Sequence, residues 1–401
     1  MPVRVGSPNY ATGWRIARHV AVLCLALALP LAAQEPAGVD VTLHGTMLVN
    51  GFRNSATVNN ADVPTTVVPP DPADPLADES LGAAVRQSRL RVLAAVADFH
   101  GAALAGELDF DLFGGQQPSS GGRTHPVARI RRAFAEARWP RLAVLVGQEA
   151  PPVFELSPSS PASVGFPGFA AAGNLWLWLP QVRVTWWALP VRPEGLRLAV
   201  EGTVLAPSAG EPQEPFLTEP DRAERSGRPG LEGRLRLQWG DEDGGEVSAG
   251  GHLGWLAMED GGREEQRAIG VLARVPVGRH VELRGEFFAG EALGGLGGGG
   301  IGQSLGPGGA IATKGGWGQL LVRPVPALEF GLGYGVDDPD DADAAFAGAR
   351  LRNEVIAGQA TWRVAPILLG AEIRRMETEH APADGGARRN THLNLAAGLE
   401  F

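Results

Sequence analysis

One short motif in the chain matches a catalytic signature. Gly302-Gln303-Ser304-Leu305-Gly306 has the Gly-x-Ser-x-Gly spacing that exposes a serine nucleophile in many hydrolases. That chemistry requires a strand before the serine and a helix after it, whereas these residues lie in a run, 294–309, that contains ten glycines. We interpret the match as coincidental and predict a flexible surface loop.

The histidines and acidic residues do not form a second candidate site. His44 and His392 lie near opposite ends of the chain, no histidine pair has metal-ligand spacing on one strand face, and no serine near them completes a hydrolytic triad. The aspartates of 337–343 lack the fixed glycine and glutamate positions of a calcium loop. The sequence therefore predicts no catalytic residue, no metal, no cofactor and no enzyme.

The N-terminal segment has the order of a secretory signal peptide. Arg15 and Arg18 precede an apolar stretch, 20–31, which ends in Leu31-Ala32-Ala33. The stretch is shorter than the ~20 residues that a membrane-spanning helix needs. We predict a signal peptide at 1–33 and an exported chain from residue 34. The single cysteine, Cys24, lies inside it, so no disulfide can form.

The rest of the chain alternates with period two, as β-strands do. From 231 to 239, Leu231, Gly233 and Leu235 alternate with Glu232 and Arg234, and similar stretches recur along the chain. Sixteen strands are predicted, near 39–52, 83–98, 102–113, 127–139, 142–148, 176–189, 195–205, 230–239, 246–256, 267–275, 280–289, 315–323, 327–336, 349–363, 367–375 and 389–401.

The connections between these strands alternate between short turns and long loops. The long ones are 53–82, 114–126, 149–175, 206–229, 257–266, 290–314, 337–348 and 376–388. An even strand count with short turns at one end and long loops at the other is typical of a bacterial outer-membrane barrel. Tryptophans lie near strand ends, which predicts two interfacial rings. We predict a 16-stranded antiparallel transmembrane β-barrel over 34–401.

The last strand and the third long loop resemble known barrels. The chain ends in an alternating strand that closes with Phe401, similar to the terminal signature of Gram-negative outer-membrane proteins. Gly147-Gln148, Pro151-Pro152-Val153-Phe154, the Ser/Pro run 157–163, Gly173-Asn174 and Pro180-Gln181-Val182-Arg183 resemble the constriction-loop region of DcaP-like trimeric porins, relatives of the phosphate-selective porin O and P family. The resemblance implies a homotrimer that conducts small, often anionic, solutes.

This resemblance gives the loop a position inside the barrel. A segment as poor in charged residues as 149–175 suits the inner wall, where it narrows the lumen. The predicted constriction-loop residues are Pro151, Phe154, Phe166, Phe169 and Asn174. The predicted lumen-lining residues are Arg89, Arg91, Glu107, Asp109, Asp111, Arg129, Arg131, Gln148, Arg183, Arg197, Arg234 and Arg236.

Arginines outnumber acids on the faces assigned to the lumen, which predicts a weak preference for anions. The same side chains could instead pair across strands and only brace the wall. The sequence thus predicts an outer-membrane porin for small hydrophilic solutes, in contact with outer-membrane lipid and with no nucleic-acid partner, since the net charge is −10. The alternatives are a structural or adhesion barrel with a blocked lumen and partner-binding loops, an outer-membrane enzyme and a soluble β-sandwich.

Overall fold

The chain forms a closed antiparallel β-barrel. The computed structural model describes residues 38–69, 79–115, 125–189, 195–211, 219–240 and 244–401. The predicted signal peptide, 1–33, lies outside the described residues. The barrel has sixteen strands in chain order, as the period-two pattern predicts, and one of them is broken into two shorter strands.

The barrel strands and the short elements between them have the following bounds. The strands are β1 (Asp40–Asn54), β2 (Ser80–Ala84), β3 (Arg89–Phe99), β4 (Ala102–Asp111), β5 (Arg129–Arg138), β6 (Leu142–Glu149), β7 (Leu179–Trp187), β8 (Arg197–Leu205), β9 (Gly230–Trp239), β10 (Gly245–Ala257), β11 (Arg263–Val277), β12 (Val281–Glu291), β13 (Leu305–Gly306), β14 (Gly309–Ala310), β15 (Ala312–Val325), β16 (Leu328–Pro339), β17 (Arg350–Val364), β18 (Ile367–His380) and β19 (Ala387–Glu400). The helical turns are Pro152–Phe154, Arg222–Arg225, Leu293–Leu296, Gly299–Gly302 and Pro382–Asp384.

The first and last strands close the barrel. β1 pairs with β19 from Thr46↔Glu400 to Asn54↔His392, and the backbones of Gly45 and Phe401 exchange two hydrogen bonds beyond that ladder. On its other side β1 pairs with both β2 and β3, so these two short strands together form the second strand of the barrel.

The break between β2 and β3 departs from the continuous strand predicted at 83–98. Arg86 and Gln87 are adjacent in sequence, yet both side chains are buried. Successive residues of a regular strand point to opposite faces, so both can be buried on one side only where the strand is interrupted. Gln87 uses this position to bind the loop described below.

The two faces of the wall differ in polarity, as a barrel in lipid requires. Outward residues are apolar and exposed, and include Val41, Leu43, Met47, Val49, Ile269, Leu332, Ile356, Ile373, Leu393 and Leu395. Inward residues of the barrel strands include many buried polar groups, among them Asn50, Asn54, Glu201, Glu232, Glu286, Gln319 and Asn394. No helix among the described residues is long and apolar enough to cross a membrane.

The tryptophans near strand ends do not all face the lipid. Trp186 and Trp362, beside short turns, are 49% and 39% exposed on the outer surface. At the long-loop end, Trp317 is buried and stacks on Phe169 inside the barrel. Both positions satisfy the strand-end pattern that predicted two rings, because that pattern does not distinguish lipid-facing from lumen-facing indoles.

Two long loops differ from their predicted form. The loop predicted at 257–266 is reduced to 258–262, because Arg263–Gln266 continue the ladder opposite 254–257. The glycine run predicted as a flexible surface loop is packed instead. Leu293 and Leu296 are buried in the same apolar cluster as Val153 and Phe154 of the third long loop. Apolar burial thus fixes this segment over the barrel interior.

Candidate solute passage and constriction loop

The third long loop, residues 150–178 between β6 and β7, folds into the barrel and binds its inner wall. The Val153 N–H donates to Glu232 on β9 over 3.1 Å, and the Leu156 N–H donates to Glu286 on β12 over 2.8 Å. Further along, the Ser159 N–H donates to Gln319 on β15, also over 2.8 Å. The loop therefore follows the wall away from the strands that carry it.

The loop continues around the wall to the opposite side of its own hairpin. The Asn50 side chain on β1 donates to the Pro161 carbonyl over 3.2 Å. Gln87, between β2 and β3, donates to the Ala162 carbonyl and accepts from the Gly165 N–H, both over 2.7 Å. Arg131 on β5 then donates to the Val164 carbonyl over 2.7 Å. The inward position predicted for the loop is thus reached by contacts with most of the barrel circumference.

The predicted loop residues lie in this segment as follows. Pro151 is buried, and its carbonyl accepts from the Phe154 N–H over 3.2 Å. Phe154 packs edge-on against Phe288 of β12, and Phe169 stacks on Trp317 of β15 with ring centroids 6.0 Å apart. Asn174 closes a turn by donating to the Gly168 carbonyl over 2.7 Å.

Phe166 belongs to a separate aromatic group. Its ring centroid lies 4.3 Å from Trp176 and 6.2 Å from Phe113, and Trp176 lies 5.3 Å from Trp178. The guanidinium of Arg131 lies 4.6 Å from the Trp178 ring centroid. The prediction placed Phe166 in the loop, but the tryptophans beside it were considered only as interfacial anchors.

Glu155 is the charged centre of the loop and was not predicted as a site residue. Its carboxylate lies 2.7 Å from Arg234, 3.2 Å from Arg183 and 3.6 Å from Arg236. Burial alone would raise the pKa of Glu155, but the three guanidinium groups hold it well below its ordinary value. Three predicted lumen arginines therefore converge on one loop carboxylate.

A second charged cluster lies on β3, β4 and β5. Arg129 binds Asp111 over 2.7 Å, Arg89 binds Asp109, and Arg131 lies between both aspartates at 3.7 and 4.0 Å. Arg91 lies opposite Asp109 in the β3–β4 register. The structure brings these predicted residues together, and it pairs the arginines with acids across strands.

One arginine that the sequence reasoning missed joins this cluster. Arg132 binds Glu107 over 2.7 Å and also pairs with Glu149. The register between β4 and β5 shifts between Asp109 and Phe110, so Arg131 and Arg132 both turn to the lumen. A strict period-two count assigns them to opposite faces, and the bulge had no distinct signal in the sequence.

Two predicted lumen residues have other surroundings. Gln148 pairs in register with Ala133 on the outward face and donates to the backbone carbonyls of Ile130 and Arg131, so Glu149 takes the inward position instead. The strand Leu142–Glu149 is apolar on both faces, which left its orientation ambiguous. Arg197 faces inward near the short turns and donates to the Gly240 carbonyl over 3.3 Å.

A cavity of about 720 Å³ remains between the loop and a wall formed mainly by β5–β11. Its lining includes Arg138 and Arg363 beside short turns, and Trp176 and Trp178 at the long-loop end. Eight arginines and five glutamates line it, with no aspartate or lysine among the described residues. The cavity therefore extends along the barrel and has an excess of positive charge.

No metal centre is found within the part of the chain that the structure describes. No group of three or more His, Cys, Asp or Glu side chains there is arranged to hold a metal ion. His252 bonds Glu232 and Gln266 at 3.0 and 3.2 Å, and His392 bonds Asn54 at 2.9 Å. These histidines belong to hydrogen-bond networks of the inner wall.

Several solved outer-membrane proteins share this barrel architecture. The outer-membrane channel DcaP of Acinetobacter baumannii is 18% identical, with a TM-score of 0.67 over 92% of this chain and 99% of that one. The chain has a DcaP-like porin fold. An anion-selective porin from Comamonas acidovorans follows at 14% identity and a TM-score of 0.58, over 91% of this chain and 100% of that one.

The trimer form of OmpT, an outer membrane protein of Vibrio cholerae, shares this fold more distantly. It is 12% identical, with a TM-score of 0.54 over 91% of this chain and 100% of that one. No family model matches the chain, and no curated protein matches it. The DcaP-like fold agrees with the predicted resemblance, while the link to the phosphate-selective porin O and P family stays a prediction.

Proposed function

We propose that this protein is an outer-membrane porin of a Gram-negative-type bacterium and that small hydrophilic solutes diffuse through it passively. The observation that carries the proposal is the cavity beside the constriction loop, which is lined by charged side chains from the short-turn end to the long-loop end. The exposed apolar outer face supports a lipid environment.

A weak preference for anions follows from the charge of the passage. Eight arginines against five glutamates leave an excess of three positive charges along the cavity lining. Several of these arginines form ion pairs, such as Arg132 with Glu107, and the paired acids partly cancel the positive field of the arginines. We therefore propose a modest selectivity instead of a binding site specific for phosphate.

The proposed assembly is a homotrimer. The trimer form of the OmpT outer-membrane protein supports it, because the two chains share a fold. Mass measurement of the detergent-solubilised protein, with chemical cross-linking before denaturation, tests this assembly. A monomeric mass and no cross-linked trimer would refute it.

The function is tested by single-channel recording of the refolded mature protein in a planar bilayer. Stepwise conductance in groups of three and a reversal potential that favours chloride in a potassium chloride gradient are the expected results. A cation-favouring potential would refute the anion preference but retain the porin.

A structural or adhesion barrel is the second candidate. The constriction loop is bound on most sides of the wall, and Leu293 and Leu296 of the glycine-rich loop pack onto it. A correctly folded protein without conductance would favour this blocked barrel, whose long loops would bind a surface partner.

A further inference from the structure

A second cavity lies at the long-loop end, above the constriction loop. This mouth pocket has a volume of about 340 Å³ and is lined by Phe166 and Trp176 of the constriction loop, by the glycine-rich segment 294–302 and by Arg350 at the start of β17. Trp176 also lines the passage cavity, so a solute in the mouth pocket lies next to the entrance of the passage.

Arg350 supplies the charge of this pocket. Its backbone is fixed to Gln303, whose side-chain amide accepts from the Arg350 N–H and donates to the Arg350 carbonyl, both over 2.8 Å. Its guanidinium makes no salt bridge with any described residue, and its Nε is buried without a hydrogen-bond partner there. No described acidic residue lines the pocket. A half-buried guanidinium without an acid favours an anionic ligand.

Trp176 supplies both a ring and a second donor. Its indole Nε1 is buried and has no hydrogen-bond partner among the described residues. Its ring meets Phe166 edge-to-face with centroids 4.3 Å apart. A third planar ring can pack favourably against an aromatic pair of this geometry. An indole N–H in an apolar setting requires a hydrogen-bond acceptor.

Two other polar side chains of the pocket, those of Asn59 and Thr65, are already paired. Asn59 donates to Thr65 Oγ1 over 2.7 Å and accepts from the N–H groups of Thr65 and Thr66, each over 3.1 Å. Segment 294–302 presents mainly backbone, so a flat ring can approach closely.

We propose that the mouth pocket binds small aromatic carboxylates before they enter the passage. The carboxylate would pair with Arg350 and accept from Trp176 Nε1, while the ring packs against Phe166 and Trp176. This inference rests on the proposed porin function for its transport role, but the binding itself can be measured separately.

The first test uses benzoate, cyclohexanecarboxylate and benzamide as probes of the wild-type channel. Benzoate should interrupt the ion current at concentrations at least about threefold lower than cyclohexanecarboxylate, which has the same charge and no planar ring. Benzamide, which lacks the charge, should interrupt it more weakly than benzoate. Equal potency of benzoate and cyclohexanecarboxylate would overturn the proposal.

The second test uses variants. Arg350→Gln should weaken benzoate binding at least about tenfold, and Arg350→Lys should weaken it less. Trp176→Phe, which keeps a ring and removes the N–H, should weaken it about threefold. Arg352→Gln is the matched control, because Arg352 is exposed and pairs with Glu354 at 3.5 Å outside the pocket. Unchanged benzoate binding in Arg350→Gln would overturn the proposal.

Titration calorimetry of benzoate into the detergent-solubilised trimer or monomer separates this inference from the porin function. Binding that requires Arg350, in a protein without conductance, would support the pocket and refute the porin. Conductance without benzoate binding would refute the pocket and support the porin. Heat-modifiable migration in gels confirms that each variant is folded before either measurement.

Discussion

The guanidinium of Arg234 on the barrel wall lies 2.7 Å from the carboxylate of Glu155 in the constriction loop. The Arg234 side chain is fully buried, and Arg236 and Arg183 lie within 3.6 Å of the same carboxylate. A loop that carries no other charge between Ala150 and Leu179 is thus held electrostatically at one point. Removing one member of a buried ion pair leaves the charge of the other member uncompensated.

Replacing Glu155 should therefore release the loop. Glu155→Gln removes the shared acid of three arginines, at a cost of ~3 kcal/mol to the anchored state. We expect closures of the channel to become at least about threefold more frequent in single-channel records, and the reversal potential to shift towards anions. Glu136→Gln is the matched control, since Glu136 lines the same cavity but, among the described residues, forms an ion pair only with the exposed Arg138. Equal closure rates in both variants would contradict the role of Glu155 in holding the loop.

The pH dependence of the loop follows from the same contact. Burial raises the pKa of Glu155, but Arg234, Arg183 and Arg236 lower it further, to well below its ordinary value. The ionised form that binds the loop is present above the ordinary pKa and is lost only as the pH falls through the depressed one. The contact should weaken progressively as the pH falls from the ordinary glutamate value of about 4.3 towards the depressed one, so the wild-type closure rate should be the same at pH 6 and pH 7 and should still be rising below pH 4. A rise that levels off by pH 4 would contradict the assigned shift.

Much of the barrel could be predicted from the sequence because lipid on one face and polar side chains on the other impose period two. That rule and the resemblance together predict the sixteen barrel strands and the inward loop. They also predict the clustering of Asp109, Asp111, Arg129 and Arg131. Gln148 could not be placed, because its strand is apolar on both faces. The adjacent inward positions of Arg86 and Gln87 depend on a strand break that only the loop contacts explain.

Gln87 provides a test of the second anchor of the loop. Gln87→Ala removes two buried hydrogen bonds to the loop, at a cost of ~2 kcal/mol, because the Ala162 carbonyl and the Gly165 N–H both lose their partner. We expect larger sugars to enter proteoliposomes in swelling assays. Ser88→Ala is the control, because the Ser88 hydroxyl bonds the Leu48 backbone across the strands and makes no hydrogen bond to a described residue of the loop. An unchanged size limit in Gln87→Ala would show that the loop is held elsewhere.

The anion preference should depend on arginines of the passage. Arg131 lines the cavity and lies between Asp109 and Asp111, so Arg131→Gln removes one positive charge and leaves the two acids with Arg89 and Arg129. We expect the chloride-to-potassium permeability ratio to fall at least about 1.5-fold at low salt, where screening is weak. The same replacement at Arg375, on the outer face of β18, should leave the ratio unchanged. A fall of equal size in both would indicate a surface effect instead of a passage effect.

Gly297 tests whether the glycine-rich loop is packed as the structure indicates. It has φ +91°, and a Cβ built there would lie 1.5 Å from the Trp176 carbonyl oxygen. Gly297→Ala should therefore displace the segment from the constriction loop and increase its cleavage by thermolysin in proteoliposomes at least about threefold. Gly278→Ala is matched in backbone conformation, with φ +62°, but its Cβ meets nothing within 4 Å. Both variants incur the left-handed strain, so only the close approach to Trp176 distinguishes them. Similar cleavage rates in the two variants would mean that the segment is not held against Trp176.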